Sequence, residues 1–197
     1  MRKPPNWRGQ TVVCIASGPS LTPEDCAAVR AAGVPAIVTN TTFRLCPWAD
    51  MLVGFDSLWW RQYVAEVRAT FAGRMYCHAG PGAFRGVEWP GLLPGYRPFG
   101  NSGAMAAVMA IVCGSRDVVL LGYDCQATGG RVHHHDDHPA PLRNADTMPK
   151  WPRQFERLAV YARAKGASVR NATPGTALEA FPRIALQDAI PDLQAAA

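Results

Sequence analysis

The sequence predicts an α/β fold: a single Rossmann-like domain with a mostly parallel sheet, helices on both faces and long loops at the carboxyl edge. Three observations predict it. Short apolar runs alternate with helical stretches from Thr11 to Thr173. Most of those runs end on polar or small residues, as strands do when they open into loops. No internal repeat or linker divides the 197 residues, so one domain spans 1–197, with its core over about 11–181 and short tails.

The elements follow in order. Thr11 to Ala16 is a first strand, and Ser17-Gly18-Pro19-Ser20 is the loop after it. Thr22 suits a helix N-cap, with Pro23 at the first helical position and Glu24 and Asp25 in the first turn. That helix runs to about Ala32 and stops at Gly33. "PAIVTN" is a second strand ending at Asn40, and "MLVGFD" is a third ending at Asp56. Ser57 opens an amphipathic helix through about Phe71, and "RMYCH" is a fourth strand. Ala79 to Gly100, with six Gly and four Pro, is irregular.

"NSGAMAAVMAIVCG" is a helix of small and apolar residues, capped by Asn101 or Ser102 and ended by Gly114. Its lack of a polar face predicts burial. "DVVLLGYD" is a central strand ending at Asp124. A long loop from Cys125 to about Pro149 precedes the amphipathic helix "WPRQFERLAVYARAKG" and a last strand, "ASVRNAT". The tail from Pro174 onward is short helix or coil. The two irregular stretches are too long for mere connections and are where function is expected.

Composition narrows the class. Hydrophobic residues are 48% and charged residues 18%, which describes a globular chain. No apolar run approaches the ~20 residues of a membrane span, and the basic N-terminus lacks the apolar segment of a signal peptide. Six cysteines with no C-x-x-C pair predict free thiols and a cytoplasmic location. Net charge is +5, from 20 Lys and Arg against 15 Asp and Glu, with no basic run. Charge alone therefore does not identify a nucleic-acid-binding protein.

Candidate ligand residues cluster where the strands end. In open parallel sheets ligands bind at the carboxyl ends of the strands. Ser17 to Ser20 follow the first strand, Asn40 to Thr42 the second, Asp56 the third and Asn171 to Thr173 the last, while Asp124 ends the fifth. Asn101, Ser102 and Gly103 open a helix that points the same way. Two helix N-termini at one cleft, this one and that after Ser20, predict a phosphate-bearing ligand. Neither G-x-G-x-x-G nor G-K-[ST] is present, so this is neither a dinucleotide fingerprint nor a P-loop.

The densest chemistry is "RVHHHDDHP", with His133, His134, His135 and His138 within six residues. His133, His135, Asp137 and His138 also spell H-x-H-x-D-H, a metallo-β-lactamase half-site, but no His follows downstream to complete it and the surrounding pattern is different. A His here suits a general base, and a metal remains the competing reading of the loop. Trp59, Trp60 and Phe55 read as packing, and Trp151 and Phe155, at helical spacing, as core. Arg131 and Arg143 are available to a phosphate.

Taken in order, "IASGPSL", "TNTTF", "GFDSLWW", "NSGAMAAVMAIVCGSRDVVLLGYDCQ" and the His loop resemble the blocks of the single-domain bacterial sialyltransferases. They also resemble the related 6-hydroxymethylpterin diphosphokinase group and, most closely in tone, small tailed-bacteriophage proteins of that kind. The resemblance runs from Val12 to about Phe181. It implies a nucleotide-activated donor as the ligand and no tightly bound cofactor or metal. It places Ser17, Gly18, Pro19, Ser20, Asn40 and neighbouring Thr41 on the nucleotide, and Asp56, Ser102, Gly103, Gly122 and Asp124 around the donor, beside Asn101. It implies that His138 is the base, with His135 second, beside Asp137. The sialyltransferases carry Asn where this chain has Ser17, and Asn near Asp56, so sialic acid is not assumed.

The function expected is a glycosyltransferase-like transfer from a nucleotide-activated donor, with a His base and no metal. The acceptor is a glycan, a small molecule or a base in nucleic acid such as phage DNA. The alternatives are a metal-dependent hydrolase or diphosphokinase built on the His/Asp loop, or a non-catalytic phage binding or assembly protein. The sequence leaves oligomerisation open.

Overall fold

A computed structural model describes residues 3–136, 138–142 and 145–190. Six strands form one sheet: β1 (Thr11–Ile15), β2 (Ala36–Thr39), β3 (Met51–Gly54), β4 (Arg74–Cys77), β5 (Asp117–Leu121) and β6 (Ser168–Asn171). Their order is β4-β3-β2-β1-β5-β6, and all five pairings are parallel. The Rossmann-like α/β class expected from the sequence is the fold observed. The chain steps outward from β1 to β4, then returns to the other side of β1 to lay down β5 and β6. The strand order therefore reverses between β1 and β5, which is where such sheets bind ligands.

The four central strands, β3, β2, β1 and β5, are buried on both faces, so they read as apolar runs, while the edge strands β4 and β6 are partly exposed. Val12 and Cys14 of β1 join Ile37, Val118 and Leu120 in a cluster with helix α3 (Ser102–Val112) and helix α4 (Trp151–Ala164). Val13 and Ile15 turn to the opposite face, with Val38, Leu52, Val119 and Leu121. There they meet helix α1 (Pro23–Ala31) and helix α2 (Ser57–Thr70). Helix α3 buries every residue from Ala104 to Ile111, as its apolar sequence predicts. Each fully buried Val, Leu or Ile contributes about 1.5–3 kcal/mol relative to exposure. A short helix α5 (Leu186–Ala189) closes the described chain.

The strands stop one to three residues earlier than their apolar runs suggest. Asn40, at φ +46°, breaks extended geometry and opens a 3-10 turn through Arg44 that the sequence did not announce. Gly122, at φ +71°, similarly ends β5 before Tyr123 and Asp124. Further 3-10 turns occupy Pro90–Leu92 and Met148–Lys150. The stretch 79–100 is pinned to the edge strand β4, where the Arg74 guanidinium pairs with Glu88 at 2.9 Å.

Candidate functional site

The loops after β1, β2, β3 and β5 meet the N-terminus of α3 around a cavity of about 490 Å³. It lies at the carboxyl edge beside the β1/β5 switch point. Ser17, Gly18, Asn40, Asp56, Asn101, Ser102, Gly103, Gly122, Asp124 and His138 all line it. Six of them follow strand ends, Asn101, Ser102 and Gly103 open α3, and His138 comes from the long loop after β5.

Other sequence-expected residues lie elsewhere. Thr41 is buried and points into the protein, where its hydroxyl accepts the Trp59 Nε1–H at 3.1 Å. Pro19, Ser20 and His135 do not line the cavity. Ser20 is turned toward Asp124: its backbone N–H and its hydroxyl donate to the two carboxylate oxygens at 3.1 and 2.9 Å. Asp137 and Arg143 lie outside the described residues. Helix α1 does not present its N-terminus to the cavity either. Thr22 and Asp25 form a reciprocal capping box that satisfies that end internally, with Glu24 adding negative charge. Of the two helix starts expected at the cleft, that of α3 lines it and that of α1 does not; the cap of α2, Asp56 and Ser57, and the first turn of α4 line it as well.

The α3 terminus is set by polar bonds. Asn101 Oδ1 accepts the Ala104 N–H at 2.7 Å, and Asn101 Nδ2 donates to Gln154 at 2.6 Å. The first-turn N–H groups of Ser102 and Gly103 have no intrahelical partner, as at every helix start. Ser102 Oγ accepts the Phe55 N–H at 3.0 Å and donates to Asn40 Oδ1 at 3.1 Å. One hydroxyl therefore ties the ends of β2 and β3 to the start of α3.

The glycines of the site have internal reasons to be glycine. A Cβ on Gly18 would stand 1.8 Å from Asp124 Oδ1, and one on Gly103 2.8 Å from the Tyr123 ring. Gly18 is thus bare because Asp124 packs on it. Lost ligand binding in Gly18→Val would not by itself report close approach of a phosphate.

The long loop after β5 supplies much of the cavity: Cys125, Gln126, Val132, His133, His138 and Ala145 to Met148. The other irregular stretch supplies only Gly100, so the expectation of function there is not met by this cavity. Of the aromatic residues read as core or packing, Trp59 and Trp60 are buried as expected, while Phe55, Trp151 and Phe155 also reach it. Trp151 and Phe155, at the start of α4, line it with apolar surface, as does Phe55, which stacks on His78 at 4.6 Å. Helical spacing identified the buried face of α4 but not that its first turn overhangs the sheet edge. The long polar loop ending at Trp151 was the available signal.

The histidines gather over Ser17. His134 N–H donates to the Ser17 carbonyl at 2.9 Å, and His133 Nδ1 lies 3.1 Å from Ser17 Oγ. The His133 and His135 rings are 4.8 Å apart, and His138 sits 5.3 and 5.0 Å from them. Tyr63 OH is 3.4 Å from His138 Nδ1. Burial, then the neighbouring rings, push the His133 pKa down to about 4. Burial and His135 do the same to His134. Burial lowers His135 as well, opposed by the Asp136 carbonyl. All three are neutral imidazoles near pH 7. Among the described residues, no three His, Cys, Asp or Glu side chains are already gathered as a metal centre. None of the described helices is long and apolar enough to cross a membrane.

No protein-family model matches this sequence, and no curated protein matches it significantly. Of the resemblance drawn from the sequence blocks, the parallel α/β fold is what stands.

Proposed function

We propose that the protein is a transferase that takes a group from a nucleotide-activated donor, with the nucleotide held in the cavity at the carboxyl edge. The observation that supports it most is the convergence of the α3 N-terminus, the Asn40–Ser102 pair and an aromatic wall on one cleft at the switch point. The N–H groups of Ser102 and Gly103 suit a phosphate oxygen. Asn40 and Ser102 suit ribose hydroxyls, and Trp151 offers a face to a base.

His138, at the cavity lining, is better placed than His135 for the acid–base role. As the acceptor oxygen or nitrogen bonds to the transferred group, its proton passes to the imidazole. The bond to the donor phosphate breaks, and the nucleotide leaves with the electron pair. A neutral imidazole suits that transfer because its free ring nitrogen accepts the proton.

The charges around the cleft set a condition. Asp56, Asp124 and Asp146 line it, and among the described residues no Lys or Arg does. A diphosphate there is balanced by helix N-termini alone, that of α3 foremost, unless a cation accompanies it.

Calorimetry with CMP, UDP, GDP and their sugar conjugates, with and without divalent ions, tests the reading. At least one nucleotide should bind, Ser102→Ala should weaken it, and His138→Ala should leave binding intact while lowering turnover by ~100-fold or more. Failure of every nucleotide to bind, with the purified chain folded, overturns it.

A further inference from the structure

We propose that His133, His134 and His135 form a site for a transition-metal ion of the zinc class, bound through their Nε2 atoms at the wall of the cavity. The observation is a set of unused lone pairs. His133 Nε2, His134 Nε2 and His135 Nε2 are each buried with no hydrogen-bond partner. Buried polar atoms are almost always satisfied, so three neighbouring orphans of one type call for a common partner.

The His135 tautomer supports the same reading. His135 Nδ1 lies against the Asp136 carbonyl. A carbonyl only accepts, so that nitrogen carries the hydrogen, and Nε2 of the neutral ring is a bare acceptor. In His133 the Nδ1 atom is engaged at 3.1 Å by the Ser17 hydroxyl, which leaves Nε2 as its unused nitrogen. An imidazole that donates Nδ1–H to a carbonyl and offers Nε2 is oriented as metal-binding histidines are.

The rings are neighbours: the His135 ring stacks on that of His133 at 4.8 Å and meets that of His134 edge-on at 5.0 Å. An ion bound through Nε2 lies in the plane of each imidazole, so the stacked pair must turn out of parallel to share one, and among the described residues no three donors already meet at one point. Neutral imidazoles with no thiolate suit zinc, cobalt, nickel or copper over magnesium or calcium. His133 lines the cavity, so an ion there would lie beside the carboxylates of the cleft and supply the positive charge that side chains do not.

The test uses the full chain stripped with a chelator, titrated with Co²⁺ and then Zn²⁺, with no nucleotide present. Its outcome is therefore separate from that of the transferase reading. One ion per chain should bind, with visible absorption characteristic of nitrogen-ligated cobalt that zinc displaces. His135→Gln should lower affinity by at least ~10–100-fold, while His78→Gln, outside the cluster, should not change it. Circular dichroism confirms that each variant is folded, and His134→Gln serves if His135→Gln is not. Absence of cobalt absorption and of stoichiometric zinc overturns the proposal. So does undiminished binding in the folded cluster variant, which would place the ion elsewhere.

Discussion

Gly18 and Asp124 occupy each other's space: the carboxylate oxygen Oδ1 sits 1.8 Å from where a Cβ on residue 18 would be. Asp124 is buried, and Ser20, two residues beyond Gly18, donates two hydrogen bonds to it. The loop after β1 is therefore folded around a carboxylate delivered by β5, across the switch point of the sheet. That contact fixes where Ser17 and the His loop above it stand.

Gly18→Ala should destabilise the protein even without ligand. The carboxylate cannot simply move aside, because the Gly122 carbonyl lies 2.5 Å from the same Cβ position. Overpacking of this kind costs about 1–3 kcal/mol. Urea unfolding measures it, and a midpoint equal to wild type would show that the loop adapts without strain.

Asp124 should make stability depend on pH in an unusual direction. Burial raises its pKa above the ordinary 3.8, against the lowering effect of Ser20's hydrogen bonds. The folded state then binds the proton more tightly than the unfolded state. This group's contribution is most favourable below pH 3.8 and is lost as pH rises from there through the folded value. Asp124→Asn keeps one acceptor for Ser20 and cannot ionise, so it should flatten that part of the stability profile. Asp124→Ala leaves two donors unpaired and should cost about 1–3 kcal/mol, most at low pH where the wild-type carboxyl contributes most. An unchanged profile in Asp124→Asn would assign the slope to other groups.

The sheet was legible because its central strands are buried on both faces and so read as apolar runs between polar ends. Val12 to Ile15 and Val118 to Leu121 show this directly. The strand-end residues were legible as a site for the same reason: topology alone carries them to one edge. Local geometry was not legible. Asn40, Ser102 and Asp56 line the cleft while Thr41, next to Asn40, turns inward to Trp59, because the chain enters a 3-10 turn there. Nor did spacing reveal that Asp25, through its capping box, withholds the α1 terminus from the cleft. Trp151 read as core because periodicity reports a helix face, not what its first turn overhangs.

All six cysteines are free, and five are buried. Denatured, unreduced protein should titrate with six thiols. The native protein at pH 8 should label slowly, since burial pushes Cys77 to about 11 and Cys113 and Cys125 to about 12. Thiolate is the reactive form, and its ordinary pKa is about 8.5. Cys125 is the least buried and should react first, more slowly once a nucleotide fills the cavity that it lines. Mass mapping of the first modified peptide checks this; prior labelling of Cys14 or Cys46 would contradict the burial order.

The Asn40–Ser102 bond should couple binding to stability through one hydroxyl. Ser102 Oγ accepts the Phe55 N–H and donates to Asn40 Oδ1, so Ser102→Ala removes both at once. Each such bond is worth about 0.5–1.5 kcal/mol net, and a buried group left unpaired costs more. A loss of about 1–3 kcal/mol in unfolding free energy is expected. Asn40→Ala removes only the acceptor and must also hold Ala at the left-handed φ of +46°, which Asn tolerates better. It should cost a similar amount by a different route. Because the two residues are in contact, the double variant should lose less than the sum of the singles. If both residues also hold ribose, nucleotide affinity should fall in each variant and the double-variant cycle for binding should show coupling too. Strict additivity in unfolding would show that the 3.1 Å contact contributes nothing. Coupling in unfolding without any change in nucleotide affinity would leave the pair as a strand-end tie and place the ribose elsewhere in the cavity.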